Sequence, residues 1–144
     1  ASLTYFETVG WRGIIMGDEP SPLPEKFPAG AGEVFPMYHV FQWLRDWQPH
    51  NVVQSKSSAP LKVDGLMLEG DRGTHLLLAN FIPDRVNVQI RAGTVEKITR
   101  LDAANVVAAR QNPTSLTAEN IDSELDLIKI EAFGLVCIDY RNGE

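Results

Sequence analysis

The amino-acid sequence predicts a mainly β protein, in which an antiparallel β-sandwich over residues 51–144 follows a strand, a loop and a helix in residues 1–50. Three observations support this fold class. The apolar periodicity changes near residue 50 from the 3.6-residue repeat of a helix to the two-residue repeat of strands. About seven short strand-like runs follow, separated by turn residues, which is typical of a sandwich. A stretch rich in proline and glycine precedes the helix.

The first fifty residues predict three elements. The apolar run "LTYF" at residues 3–6 predicts a strand that ends at Glu7. Residues 17–33 contain four prolines and therefore predict a long loop. Pro36 suits the first turn of a helix, and Pro49 ends that helix. Its buried stripe is formed by Met37, Val40, Phe41, Trp43, Leu44 and Trp47, and its polar face by His39, Gln42 and Asp46.

The second part of the chain predicts strands and one short helix. The strand runs are, in order, "NVVQSK", "PLKVDGLMLEG", "HLLLANF", "RVNVQIR", "VEKITRL", "DLIKIEA" and "LVCIDY". The turn "GDRG" joins the second and third runs into a hairpin. The last two runs are expected to pair with each other around Phe133 and Gly134. Residues 103–110 predict two helical turns that end before Pro113.

The composition excludes several classes of protein. The 144 residues are 44% hydrophobic and carry a net charge of -6. An acidic chain without a lysine and arginine cluster is a poor partner for nucleic acid or an anionic membrane. No apolar run approaches the roughly 20 residues of a membrane span. The single cysteine, Cys137, cannot form an intramolecular disulfide and is expected in the core. We therefore expect a cytoplasmic protein.

Glu7 is the best candidate for chemistry. A carboxylate at the end of a strand can serve as a general base, a general acid or a partner for sugar hydroxyls. Trp11 could stack on a sugar ring, and Arg12 could hold a carboxylate or a carbonyl oxygen. The structural alternative is that Glu7 and Arg12 form only an ion pair. The three histidines lack the spacing of metal ligands, and no phosphate loop, dinucleotide motif or nucleophile elbow is present, so no metal or cofactor is expected.

Three segments resemble the C-terminal part of D-apionate lactonase-like proteins: "LTYFETVGWRGI", "VFPMYHVFQWL" and "APLKVDGLMLEGDRGTHLLLANFIPDRVNVQI". These proteins are relatives of the retaining glycoside hydrolases, with a (β/α)8 TIM barrel followed by a β-sandwich. The resemblance implies that residues 1–50 are the last βα unit of such a barrel, which is incomplete here, and that residues 51–144 are the C-terminal sandwich. Glu7 would then lie at the mouth of the barrel.

The resemblance implies sugar-lactone hydrolysis by the full-length protein, with this portion inactive alone. Glu7 would be catalytic, and Arg12 and Trp11 would bind the sugar or sugar-lactone substrate. The rest of the barrel, or a homo-oligomer, would cover an apolar face around Trp43 and Trp47. The alternative is an accessory glycoside-hydrolase sandwich with a structural or carbohydrate-binding role. Carbohydrate binding would need exposed aromatic side chains, whereas Phe81, Phe133 and Tyr140 are expected in the core.

Overall fold

The computed structural model describes residues 7–91, 93–121 and 127–141, and these form the mainly antiparallel β fold that the sequence predicts. The strand expected at residues 3–6 lies outside the described residues. In chain order the elements are α1 (Pro36–Trp47), β1 (Pro49–Val53), β2 (Val63–Gly70), β3 (Gly73–Asn80), β4 (Val86–Gln89), β5 (Val95–Leu101), α2 (Val106–Gln111), β6 (Glu119–Asn120), β7 (Leu127–Ile130) and β8 (Leu135–Tyr140).

Two antiparallel sheets form the sandwich. The large sheet has the strand order β1-β2-β3-β8-β5-β6, and the small sheet pairs β4 with β7. The predicted hairpin is confirmed, because β2 and β3 pair along their whole length up to Gly70 and Gly73, with two residues in the turn. The core between the sheets comprises Val63, Leu76, Leu78, Val95, Ile98, Ile128, Ile130, Val136, Ile138 and Tyr140.

The predicted pairing of the last two strands is wrong. β7 pairs with β4 in the small sheet, and β8 lies between β3 and β5 in the large sheet. The burial patterns explain the difference. Ile128 and Ile130 are buried while their neighbours in β7 are exposed, as in a sheet covered on one face. β8 is apolar along Val136–Ile138 and buried on both faces, which suits a central strand. Phe133, with a φ of 52°, starts the crossing between the sheets.

Helix α1 packs on the outer face of the large sheet. Trp47, Leu68 and Cys137 form a second apolar cluster on this face. Trp43 and Leu44 pack against that cluster. The Trp47 ring stacks on the His75 ring at 4.5 Å with an angle of 12° between the planes. The chain's own large sheet thus covers Trp47, whereas Trp43 is half-buried. The expected burial of Cys137 is confirmed.

His39 is buried, contrary to its expected place on the polar face of α1. Only 2% of the residue is exposed, and its Nε2 donates a hydrogen bond to the carbonyl oxygen of Ala109 in α2, at 3.2 Å. Burial lowers the pKa of His39, and the hydrogen bond to Ala109 opposes that shift. The periodicity of α1 shows one buried stripe, but it cannot show that α2 covers a second side.

Candidate functional site

Glu7, Trp11 and Arg12 are brought together by a tight turn. The Gly10 N–H donates to the Ile15 carbonyl at 2.8 Å, and the Ile14 N–H donates to the Thr8 carbonyl at 3.0 Å. Gly10 has a φ of 136°, and a Cβ there would overlap the Glu7 carboxylate. Glycine is therefore required both by the backbone conformation and by the close approach of Glu7.

The Arg12 guanidinium lies between the other two side chains. Its Nε is 3.5 Å from Glu7 Oε2, and its central carbon is 5.1 Å from the centroid of the Trp11 ring. The ion pair that the sequence suggested as an alternative is thus present. The Arg12 side chain is 70% exposed and the Glu7 side chain 35% exposed, so the pair contributes little to stability. Arg12 can therefore be redirected to an anionic or carbonyl group at small energetic cost.

Trp11 is held by an aromatic contact from the proline-rich loop. Its ring meets the Phe27 ring edge-on, with centroids 5.3 Å apart, and Phe27 makes a similar contact with Phe35 at 6.4 Å. This series of rings links the turn that carries Glu7 to the start of α1. The orientation of the Trp11 ring is consequently set by residues of the loop.

The segment before α1, which carries Glu7, Trp11 and Arg12, is attached to the sandwich by hydrogen bonds and an ion pair. The Met16 N–H donates to the Glu33 carbonyl at 2.8 Å, and both Met16 and Val34 are buried. The Glu33 carboxylate lies 2.6 Å from Arg110 Nε, and the Val34 N–H donates to the Arg110 carbonyl at 3.1 Å. Arg110 belongs to α2 of the sandwich, so the position of the turn depends on residues distant in sequence.

Phe81 and Phe133 are exposed, contrary to the expectation that they lie in the core. Their exposed fractions are 51% and 64%, whereas Tyr140 is buried as expected. The side chain of buried Asn80 donates to the carbonyls of Asp84 and Glu131, at 2.7 and 2.8 Å, and so joins the two loops that carry these rings. Each phenylalanine lies beside a turn-forming residue in the sequence, Phe81 after Asn80 and Phe133 before Gly134. That position is the sequence signal that could have indicated their exposure.

The part of the chain that the structure describes contains no group of three or more His, Cys, Asp or Glu side chains that could hold a metal ion. None of the helices described there is long and apolar enough to span a membrane. The chemistry available at the turn is therefore that of one carboxylate, one guanidinium and one indole ring.

Comparison with solved structures identifies a xyloglucanase of glycoside hydrolase family 44 from Paenibacillus polymyxa. The identity is 12% and the TM-score 0.45, over 63% of this chain and 18% of that chain. A comparison with curated proteins gives no match. The family model described as "D-apionate lactonase, C-terminal immunoglobulin-like domain" matches residues 60–133, which include β2 to β7. Because this match covers just over half of the 144 residues, the chain belongs to the D-apionate lactonase family and carries its C-terminal immunoglobulin-like domain.

Proposed function

We propose that the chain is the C-terminal portion of an enzyme that hydrolyses a sugar lactone, with Glu7 as a catalytic carboxylate. Membership of the D-apionate lactonase family supports the hydrolase, and the contact of Glu7 with Arg12 beside Trp11 is the observation that carries the assignment of residues. Under this proposal residues 1–50 form the last βα unit of a barrel domain, and the remaining active-site groups belong to that domain.

The three side chains suit the steps of lactone hydrolysis. Glu7 accepts a proton from water as the water oxygen attacks the lactone carbonyl. Arg12 donates an N–H hydrogen bond to the oxyanion that forms on the carbonyl oxygen. When the ring C–O bond breaks, protonated Glu7 returns its proton to the alkoxide that leaves. The products are a carboxylic acid and a hydroxyl on one open-chain molecule, and Glu7 is regenerated as a carboxylate.

Trp11 gives the proposed site its preference for a sugar. The C–H face of a sugar ring packs well on an indole ring, and Trp11 is already oriented by its contact with Phe27. The guanidinium of Arg12 lies over the same ring. A bound lactone would therefore place its carbonyl oxygen toward Arg12 while its ring lies against Trp11.

The test is turnover of sugar lactones by the full-length protein. We expect Glu7→Gln to lower kcat by about a hundredfold or more, because the amide cannot accept the proton. Arg12→Ala is expected to lower kcat as well, since the oxyanion loses a donor. Glu25→Gln is the matched control, because Glu25 is an exposed carboxylate in the same segment. Undiminished turnover by Glu7→Gln would remove Glu7 from any catalytic role.

A second candidate function is an accessory carbohydrate-binding sandwich. The exposure of Phe81 and Phe133 favours it, because exposed rings on fixed loops can stack on sugars. The backbone N–H of Phe133 donates to the Ile82 carbonyl at 3.2 Å, which brings the two loops side by side. In the same assay, this candidate predicts wild-type turnover by Glu7→Gln on a soluble sugar lactone.

A further inference from the structure

We propose that a cleft beside β4 binds a small amphipathic anion, a carboxylate carried on an apolar body. The cleft lies between the β1–β2 connection, at residues 54–62, and the strand β4; we name it the β4 cleft. Its volume is about 820 Å³, within the usual range for small-molecule sites. None of its lining residues belongs to the segment that carries Glu7, so the site is separate from the one proposed above.

The floor of the β4 cleft is apolar. It is formed by core side chains of the two sheets, among them Met67, Leu76, Leu78 and Val88. The opposite wall is held to β2 by two serines of the connection. Ser55 donates to the Gly65 carbonyl at 3.0 Å, and Ser57 donates to the Val63 carbonyl at 2.6 Å. The cleft is thus formed before a ligand arrives, which reduces the entropic cost of binding.

Positive charges surround this apolar floor. Lys56, Lys62 and Arg91 line the cleft, and none of the three forms an ion pair with a described residue. Asp64 is the acidic lining residue, and its carboxylate accepts the backbone N–H of Gly65 at 2.9 Å. The chain as a whole has a net charge of -6. Three unpaired cations around one apolar surface therefore select a ligand with a negative end and an apolar body.

Tyr140 adds a hydrogen-bonding group that points to a ligand. It lines the cleft, is 6% exposed, and its buried hydroxyl has no hydrogen-bond partner among the described residues. Burial raises the pKa of Tyr140 to about 12, so the hydroxyl keeps its proton and can donate it to an oxygen. A buried hydroxyl without a partner is costly. An oxygen atom of a ligand bound in the cleft would supply that partner.

The test is isothermal titration of the full-length protein with sodium octanoate, and with 1-octanol as the neutral analogue. We expect saturable binding of octanoate at one site per chain and at least tenfold weaker binding of 1-octanol. The double variant Lys56→Gln and Arg91→Gln should weaken octanoate binding at least tenfold. Tyr140→Phe, which removes only the hydroxyl, should weaken it severalfold. Lys26→Gln is the matched control, since Lys26 is an exposed lysine outside the cleft, and it should bind octanoate as the wild type does.

Three results would overturn the inference. One is the absence of saturable octanoate binding to the wild-type protein. Another is equal affinity for octanoate and 1-octanol, which would indicate apolar partitioning without an anion site. The third is binding of an extended acidic peptide without binding of octanoate, since β4 pairs on one edge only among the described residues and such a peptide could add as a strand. Thermal unfolding of each variant identifies any loss of affinity that arises from misfolding.

Discussion

At the scale of single residues, His39 shows how burial makes the stability of the fold depend on pH. The imidazole lies between α1 and α2 and donates from Nε2 to the Ala109 carbonyl. Burial lowers its pKa below the value of 6.5 that it has in an unfolded chain. Between the lowered pKa and about 6.5, the unfolded chain therefore binds more protons than the folded chain does. Stability is complete above that window and falls as the pH drops through it.

We predict that replacing His39 by Gln removes this contribution. The free energy of unfolding of the wild-type chain should fall as the pH is lowered from 7.5 to 5, and that of His39→Gln should fall less steeply. Both proteins share every other ionisable group, so the difference between the two curves isolates His39. Urea denaturation followed by circular dichroism at each pH provides the measurement. Parallel curves for the two proteins would contradict the prediction.

The residues also show what sequence alone can reveal. Glu7 and Arg12 are five positions apart across a glycine turn, so their ion pair depends on local geometry that the sequence indicates. Cys137 lies in an apolar run, and its burial follows from that run. The exposure of Phe81 and Phe133 depends instead on loops that Asn80 holds together across more than fifty positions. The neighbouring turn residues are the local signal for exposure, but the contact between the two loops is not contained in any local pattern.

At the scale of elements, the packing of α1 on the large sheet depends most on Trp47. Its ring stacks on His75, whose Nδ1 donates to the Asp139 carboxylate at 2.8 Å. Trp47 also contacts Leu68 and Cys137 in the same cluster. One aromatic side chain therefore joins the helix to three neighbouring strands of the sheet.

We predict that Trp47→Ala destabilises the chain by about 3–5 kcal/mol, because it removes a large buried ring and leaves a cavity. Trp47→Phe is the matched variant, since it keeps a ring that can stack on His75, and it should cost clearly less. Urea denaturation gives both values. A loss below about 1 kcal/mol for Trp47→Ala would show that the helix is held to the sheet by other contacts.

Elements also differ in how far their pairing can be predicted. The β2–β3 hairpin follows from a two-residue turn between alternating strands, and both strands are adjacent in sequence. The partners of β7 and β8 depend on distant parts of the chain. β4 is more than thirty positions before β7 in the sequence, and β3 is more than fifty before β8. A short turn such as that at Phe133 and Gly134 suggests a hairpin locally, but the burial of β8 on both faces requires a central strand.

At the scale of the whole molecule, several contacts attach the described residues before β1 to the sandwich. Trp47 packs on the large sheet, His39 bonds to α2, and Glu33 forms an ion pair with Arg110 of α2. The last attachment is the closest to the turn that carries Glu7. This ion pair and the hydrogen bond from the Val34 N–H to the Arg110 carbonyl attach the segment to α2.

The Glu33–Arg110 pair should therefore couple this segment energetically to the sandwich. The two side chains are 21% and 19% exposed, and the Glu33 carboxylate also accepts the Gly30 N–H at 2.9 Å. A double-mutant cycle with Glu33→Gln and Arg110→Gln should give a coupling energy of about 1–2 kcal/mol.

The Arg85–Glu131 pair is the control, because its atoms are 2.9 Å apart but its side chains are 60% and 44% exposed. Solvent weakens an exposed pair, so the control cycle should give a smaller coupling energy. A coupling energy for Glu33–Arg110 that does not exceed the control value would contradict the prediction, because burial would then not strengthen this ion pair.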